Sequence, residues 1–211
     1  EVGELSKTAN SNIKRKKQEL DAPKELHGFH KMLLKIRDLD AIVVAGINGN
    51  TAGGGCEFSL GCDLRVMSEG KYFIGLPETS VGILPGGGGT QRLARMIGSS
   101  RAMDLILHAR LMTNTEAFEY GLVNKLLPQE TFREDLKDYC EDLASRAPIA
   151  LREAKKAIHK GLEVSLEEGL RIEQDAFNAT MNSNDAARAM RDLLNNKEDI
   201  NESPQTKWEG N

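Results

Sequence analysis

The sequence predicts an α/β fold in which short strands alternate with helices and a purely helical block follows. Three observations carry that prediction. Ala41 to Ile47 (AIVVAGI) is a continuous, largely β-branched run, the pattern of a strand buried on both faces. Further strand-like stretches lie at 64–67, 71–74 and 122–126, with segments of helical character before the first of them and between the last two. Beyond Pro128 only helical periodicity remains.

The elements follow in chain order. Residues 1–40 are polar and Lys-rich, and Leu26, Phe29, Leu33, Leu34 and Ile36 recur at helical spacing, which predicts a helix from about Ala22 to Leu39. After the strand at 41–47, residues 49–55 read as loop. A helix starts within Gly53-Gly54-Gly55 and covers Cys56 to Gly61. Pro77 to Gly89 is an irregular Gly/Pro loop, and Thr90 to Ile97 returns to helix. Ser99-Ser100 reads as the cap of a helix over 101–109. Thr113-Asn114-Thr115-Glu116 is a capping box, with Gly121 placed to stop the helix it opens. The closing block reads as helices at 131–146, 148–160, 166–181 and 185–195, the third opened by a second capping box, Ser165 to Glu168. The expected organisation is a helical linker segment over 1–40, an α/β core over 41–145, a helical region over 146–200 and an irregular polar tail over 201–211.

Composition narrows the class. With 28 Lys+Arg against 32 Asp+Glu the formal net charge is −4, which argues against nucleic acid as the dominant partner. Hydrophobic content of 39% is too rich in core formers for disorder, and a chain of this length can bury roughly 70% of its unfolded surface. No apolar run approaches the roughly 18–20 residues that span a bilayer. Cys56, Cys62 and Cys140 form no C-x-x-C pair and cannot make a full disulfide framework, so reduced thiols in an intracellular or organellar compartment are expected. The first residues, Glu1-Val2-Gly3-Glu4, carry the pattern of neither a signal peptide nor a transit peptide, although a removed presequence would leave no trace. No repeat of about 20–50 residues is present.

Glycine is the unusual count: 20 in all, fourteen of them between Gly46 and Gly98. Such crowding marks backbone in tight turns or pressed against something. Two phosphate-binding templates fail. No Lys follows either Gly cluster, so Walker A is absent, and neither Gly53-x-Gly55 nor Gly86-x-Gly88 completes G-x-G-x-x-G. What remains is a strand, a triple glycine and a helix start. That geometry presents backbone N–H groups at the positive end of a helix, where developing negative charge is stabilised. Taken alone, the glycines equally fit a plain strand-to-helix turn.

Two carboxylates stand in these glycine regions. Glu57 falls in the first turn of the helix after the triple glycine, and Glu78 follows Pro77. Singly they read as a dipole-complementing acid and a solvated loop acid. Together they form a pair able to share acid–base work, because repulsion and partial burial separate their pKa values.

The segments Ile47-Asn48-Gly49-Asn50-Thr51-Ala52-Gly53-Gly54-Gly55-Cys56-Glu57, Cys62-Asp63, Pro77-Glu78 and Gly82-Ile83-Leu84-Pro85-Gly86-Gly87-Gly88-Gly89-Thr90-Gln91-Arg92-Leu93 resemble the enoyl-CoA hydratase/isomerase (crotonase) family. The resemblance continues through Glu116-Ala117, Gly121-Leu122-Val123 and Ala154-Lys155, covering roughly residues 41–195. Within the family, residues 148–177 and Lys207-Trp208-Glu209-Gly210 look closest to methylglutaconyl-CoA hydratase-like members.

The resemblance implies a crotonase-like ββα spiral core with a C-terminal helical trimerisation region. It implies an enoyl-CoA hydratase-type lyase that adds water across the 2,3 double bond of an enoyl-CoA thioester, in fatty-acid or branched-chain amino-acid breakdown. Glu57 and Glu78 would be the catalytic acids, the N–H of Gly54 an oxyanion-hole donor, and Gly53, Pro85 and Gly86 substrate-binding residues. No metal or redox cofactor is implied, coenzyme A being part of the substrate. A homotrimer or hexamer is expected, in a mitochondrion or alternatively a bacterial cytoplasm. Leu170, Phe177, Met181, Met190, Leu193 and Leu194 would supply the apolar assembly face.

The family's other oxyanion donor sits in an A-G-A-D-like motif that nothing before Ala41 matches. Two readings follow: a fragment of a longer polypeptide, or a catalytically impaired crotonase-fold structural subunit of a larger assembly. Where relatives carry an aromatic followed by Glu-Lys-Arg, this chain has Leu193-Leu194-Asn195-Asn196-Lys197, a departure that bears on the coenzyme A contact. Lys14-Arg15-Lys16-Lys17 matches the neighbourhood of a Lys-rich, RNA-binding helix in some methylglutaconyl-CoA hydratases, but a solvated segment is the preferred reading. His27 and His30 read as surface or interface residues, Cys56 and Cys62 as small apolar packing beside the site. His108 and His159 have no triad partner visible in sequence.

Overall fold

The computed structural model describes residues 25–196 and 207–210. The run at 14–17, Lys197 and most of the tail lie outside them. The elements are α1 (Gly28–Arg37), β1 (Val44–Ile47), β2 (Thr51–Ala52), α2 (Gly54–Leu60), β3 (Leu64–Ser68), β4 (Phe73–Gly75), a 3-10 turn (Glu78–Val81), α3 (Gly89–Ile97), α4 (Ser99–Leu107), β5 (Leu111–Thr113), α5 (Asn114–Glu119) and β6 (Lys125–Leu127). The helices α6 (Phe132–Ala144), α7 (Pro148–Gly161), α8 (Leu166–Met181) and α9 (Asn184–Asn196) follow.

Two three-stranded sheets organise the core. The first, ordered β1-β3-β6, is wholly parallel, with Ile47 opposite Met67 and Val66 opposite Lys125. The second, β2-β4-β5, pairs β2 with β4 in parallel and β4 with β5 antiparallel. Parallel partners need a crossover, and α2 lies in the one between β1 and β3. Successive side chains of β3 point to opposite faces. Met67 enters the main core with Ile74, Leu76, Leu93, Leu105 and Met112, while Val66 packs with Leu127 and Phe132 at the start of α6.

α7 is fastened to this core by a buried charge. Lys155 Nζ pairs with Asp63 Oδ2 at 2.9 Å and donates to the carbonyls of Ile36 (3.2 Å) and Ala41 (2.8 Å). His159 Nε2 lies 3.0 Å from Asp63 Oδ1, and the N–H of Val43 donates to Asp63 Oδ2 at 2.7 Å. One cluster thereby joins the end of α1, the approach to β1, the start of β3 and α7. A second tie holds the chain's last described residues: Asp185 accepts from the N–H groups of Glu209 and Gly210 at 2.9 and 2.8 Å.

Several expectations need correction. The strand at 41–47 is shorter than predicted, and only Ile47 is buried; Val44 and Ala45 are half-buried and Gly46 is exposed. The reason is that β1 pairs on one side only, with β3, among the described residues. Leu26 lies outside α1 and is exposed, and α1 ends at Arg37. β2 falls in a predicted loop, and β5 was not expected; strands of two and three residues carry too little alternation to register. The strands predicted at 71–74 and 122–126 lie at 73–75 and 125–127, with Leu122 and Val123 as buried loop residues. Ser99 and Ser100 lie inside α4, which Gly98 caps.

The N-cap side chain of each predicted capping box makes its bond. Glu116 N–H donates to Thr113 Oγ1 at 3.1 Å, and Glu168 N–H to Ser165 Oγ at 3.3 Å. Such a cap is worth about 1 kcal/mol, and α8 spans the predicted 166–181. Leu170, Phe177, Met181, Met190, Leu193 and Leu194 are all exposed on α8 and α9. No helix among the described residues is long and apolar enough to cross a membrane.

Candidate active site

The site is built where β2 turns into α2. Gly53 occupies the turn with φ +59°, a conformation a side chain disfavours, and its N–H donates to the Gly75 carbonyl of β4 at 3.0 Å. Gly54 and Gly55 follow, both exposed, at the helix end whose first N–H groups have no intrahelical acceptor. Glu57 comes next but one and turns inward. It stands in the first turn of α2, where a dipole-complementing acid would, but it is only 4% exposed. Burying a carboxylate costs several kcal/mol unless hydrogen bonds replace its water. Here Glu57 Oε1 accepts from the N–H of Gly87 at 2.6 Å and of Gly89 at 2.8 Å.

That pair of bonds accounts for the second glycine run. A Cβ on Gly87 would collide with Glu57 Oε2 and stand 2.6 Å from Phe29 Cε1; one on Gly89 would stand 2.7 Å from Leu76 Cδ1. Gly88 turns the chain between them with φ +104°, which brings the two flanking N–H groups onto one oxygen. Pro85 is buried beneath the loop. Gly86 is exposed, and a Cβ there would meet nothing closer than 3.9 Å. The close backbone approach within the protein therefore belongs to Gly87 and Gly89, whereas Gly86 leaves its outer side open.

Glu78 opens the 3-10 turn after Pro77 and is half-buried. Its Oε2 is shielded from solvent with no hydrogen-bond partner, and a Cβ on Gly53 would lie 3.3 Å from its Oε1. The carboxyl thus rests against the turn that opens α2. Burial pushes its pKa up, and the neighbouring charge of Glu57 pushes in the same direction. Cys56 senses both acids as well: burial, then Glu78 and Glu57, raise its thiol to about 12. The structure therefore brings together Gly53, Gly54, Glu57 and Glu78, with Pro85 and Gly86 on the loop whose next residues hold Glu57.

Sequence reasoning missed Gly87, Gly89, Phe29 and Arg92 as parts of this arrangement. The unbroken run from Gly86 to Gly89 was the available signal, but it does not say which glycines face a side chain. His159, which showed no partner in sequence, has one in Asp63, 96 residues away. That dyad serves the α7 junction and touches neither Glu57 nor Glu78. His108 pairs with Asp104 one turn earlier on the surface.

Comparison with known proteins gives the family. The family described as Enoyl-CoA hydratase/isomerase matches residues 9–202. The chain is 34% identical over 191 residues to a short-chain-enoyl-CoA hydratase of Clostridium acetobutylicum, covering 90% of this chain and 73% of that one. It is 35% identical over 164 residues to a crotonyl-CoA hydratase of Syntrophomonas wolfei (78% and 63%). It is also 41% identical over 155 residues to a mitochondrial methylglutaconyl-CoA hydratase of Mus musculus (71% and 49%). The crystal structure of an enoyl-CoA hydratase from Geobacillus kaustophilus superposes with a TM-score of 0.79 at 40% identity, over 86% of this chain and 66% of that one. The chain belongs to the enoyl-CoA hydratase/isomerase family and has the crotonase fold. It spans about half to three quarters of the length of these relatives.

Proposed function

We propose that the protein is an enoyl-CoA hydratase-type lyase adding water across the 2,3 double bond of an enoyl-CoA thioester. The observation that supports this reading best is the unlike pair of acids beside one exposed helix start. Glu57 is buried and held by two backbone N–H groups, and Glu78 keeps an oxygen without a partner. In the proposed reaction the two carboxylates hold one water between them. The water oxygen bonds to C3 as a carboxylate takes one of its protons, and the π electrons move through C2 onto the thioester oxygen. The N–H of Gly54 stabilises that enolate-like charge, and one of the two acids then delivers a proton to C2. An oxyanion donor of this kind is worth about 3–4 kcal/mol of barrier, comparable to a positioned acid–base group. Gly53, Pro85 and Gly86 would line the thioester's path, and the open outer side of Gly86 suits that role.

Coenzyme A enters as part of the substrate, and the proposed chemistry uses no metal or redox cofactor. Fatty-acid or branched-chain amino-acid breakdown, in a mitochondrion or alternatively a bacterial cytoplasm, is the setting we propose. The exposed apolar side chains of α8 and α9 support assembly as a trimer or a dimer of trimers. The test is turnover of crotonyl-CoA, followed as loss of the enoyl-thioester absorbance. Replacing Glu57 or Glu78 by Gln is expected to lower kcat by about 10²–10⁴ with the fold retained. Turnover unchanged in either variant, or absent from the complete natural polypeptide with both acids intact, overturns the hydratase reading; the second result favours a structural subunit.

A further inference from the structure

Glu57 is held by the Gly86–Gly89 loop, and the loop in turn is held by Arg92. Arg92 lies in the first turns of α3, where its own N–H donates to the Gly88 carbonyl at 2.9 Å. Its side chain folds back over the same loop, and Nη1 donates to the Gly87 carbonyl at 3.3 Å. A Cβ on Gly88 would collide with that guanidinium, so the glycine leaves the space that Arg92 fills. Gly87 is therefore gripped at both polar groups: its N–H by the Glu57 carboxylate and its carbonyl by Arg92. The guanidinium is half-buried. Burial and the nearby Arg37 disfavour its charge, while Glu57 favours it, which places the two charges within interaction range.

We propose that Arg92 is a positioning residue that acts through Glu57. By fixing the Gly87 carbonyl it keeps the N–H groups of Gly87 and Gly89 aimed at Glu57 Oε1, and so sets where Oε2 points. The proposal rests on Glu57 taking part in the reaction proposed above. Arg92 reaches the reacting atoms only through the loop and the carboxylate.

The test compares Arg92→Gln, Arg92→Lys, Glu57→Gln and the double variant Glu57→Gln/Arg92→Gln in the full chain, with crotonyl-CoA as probe. Arg92→Gln is expected to lower kcat about 10- to 100-fold, the size of effect seen when supporting partners of reacting groups are removed. KM should stay within about twofold, and Arg92→Lys, which retains a cationic donor, should recover part of the loss. In the Glu57→Gln background the same Arg92 change should cost less than about threefold, because its route to the reaction is already cut. A readout free of turnover accompanies these: amide hydrogen exchange across residues 85–91 should speed up about tenfold or more in Arg92→Gln, with α4 and α5 unchanged.

Wild-type kcat in Arg92→Gln, a rise in KM alone, an undiminished cost in the Glu57→Gln background, or unaltered exchange at 85–91 would each overturn the role given to Arg92. Wild-type kcat in Glu57→Gln instead removes the reading of Glu57 itself, and the exchange measurement still decides whether Arg92 holds the loop.

Discussion

Adding one carbon at Gly87 tests the arrangement directly. Its φ lies outside the left-handed region, so alanine suits the backbone and the whole effect comes from the new Cβ. That atom would overlap Glu57 Oε2, stand 2.8 Å from Glu57 Cδ and 2.6 Å from Phe29 Cε1. Glu57 cannot swing clear without stretching its bonds of 2.6 and 2.8 Å to the N–H groups of Gly87 and Gly89. A hydrogen bond to a charged group is worth about 1.5–3 kcal/mol, and forcing a methyl into packed space costs about 1–3 kcal/mol. Partial relaxation leaves an expected loss of about 3 kcal/mol, or roughly 6–12 °C in melting temperature for a chain of this size. Under the proposed reaction, an ångström of displacement at Glu57 adds about a 100-fold loss of turnover.

Gly86→Ala is the control next door. The nearest atom to its Cβ lies at 3.9 Å, so stability should change by no more than about 0.5 kcal/mol. Under the proposed reaction it would still raise KM by intruding on the substrate's path. Thermal unfolding of both variants, followed by circular dichroism, settles the matter. A Gly87→Ala melt within about 1 °C of the parent, or equal losses at both glycines, would refute the steric reasoning.

Other outcomes follow from groups outside the acids. Lys155→Met breaks a buried pair in which Lys155 and Asp63 side chains are 4% and 9% exposed, and should cost about 3–5 kcal/mol in chemical denaturation; a loss below about 1 kcal/mol would show the junction to be dispensable. Burial opposes the charge on Asp63, but hydrogen bonds from His159, Lys155 and the Val43 N–H outweigh it and hold its pKa below the ordinary aspartate value. The fold therefore gains stability from Asp63 above about pH 4 and loses it as pH falls through the lower folded value, so Asp63→Asn should flatten acid unfolding there. With its thiol raised to about 12 by burial and two carboxylates, Cys56 should resist maleimide at pH 8 in the native protein, while half-exposed Cys140 reacts. Native labelling of Cys56 would contradict the burial described.

Legibility in the sequence followed length and locality. α8 was readable to the residue because a capping box and sixteen residues of apolar periodicity agree. β5, three residues long, left no pattern, and the full burial expected of β1 failed because pairing on one side is a tertiary fact that AIVVAGI does not encode. Glu57 and Glu78 were legible as a pair because each follows a backbone-breaking signal, the triple glycine and Pro77. Their inequality was not. Glu57 owes its hydrogen bonds to residues 30 and 32 positions away, and the side chain of His159 finds Asp63 across 96.

Two carboxylates can divide acid–base work only when their surroundings differ. Here the difference is made by main chain. Both donors to Glu57 Oε1 are peptide N–H groups, which any residue supplies, so their trace in the sequence is steric: glycine wherever a Cβ would strike the carboxylate or its neighbours. Glu78 receives no comparable help on Oε2, and burial together with the charge of Glu57 raises its pKa. The same loop thus does two things at once. It tethers Glu57 as an acceptor, and by keeping that negative charge close it favours the proton on Glu78. The glycine run at 86–89, which in sequence reads as part of an irregular Gly/Pro loop, is tightly fitted: one member faces outward, and the other three are each set against a side chain of the protein itself.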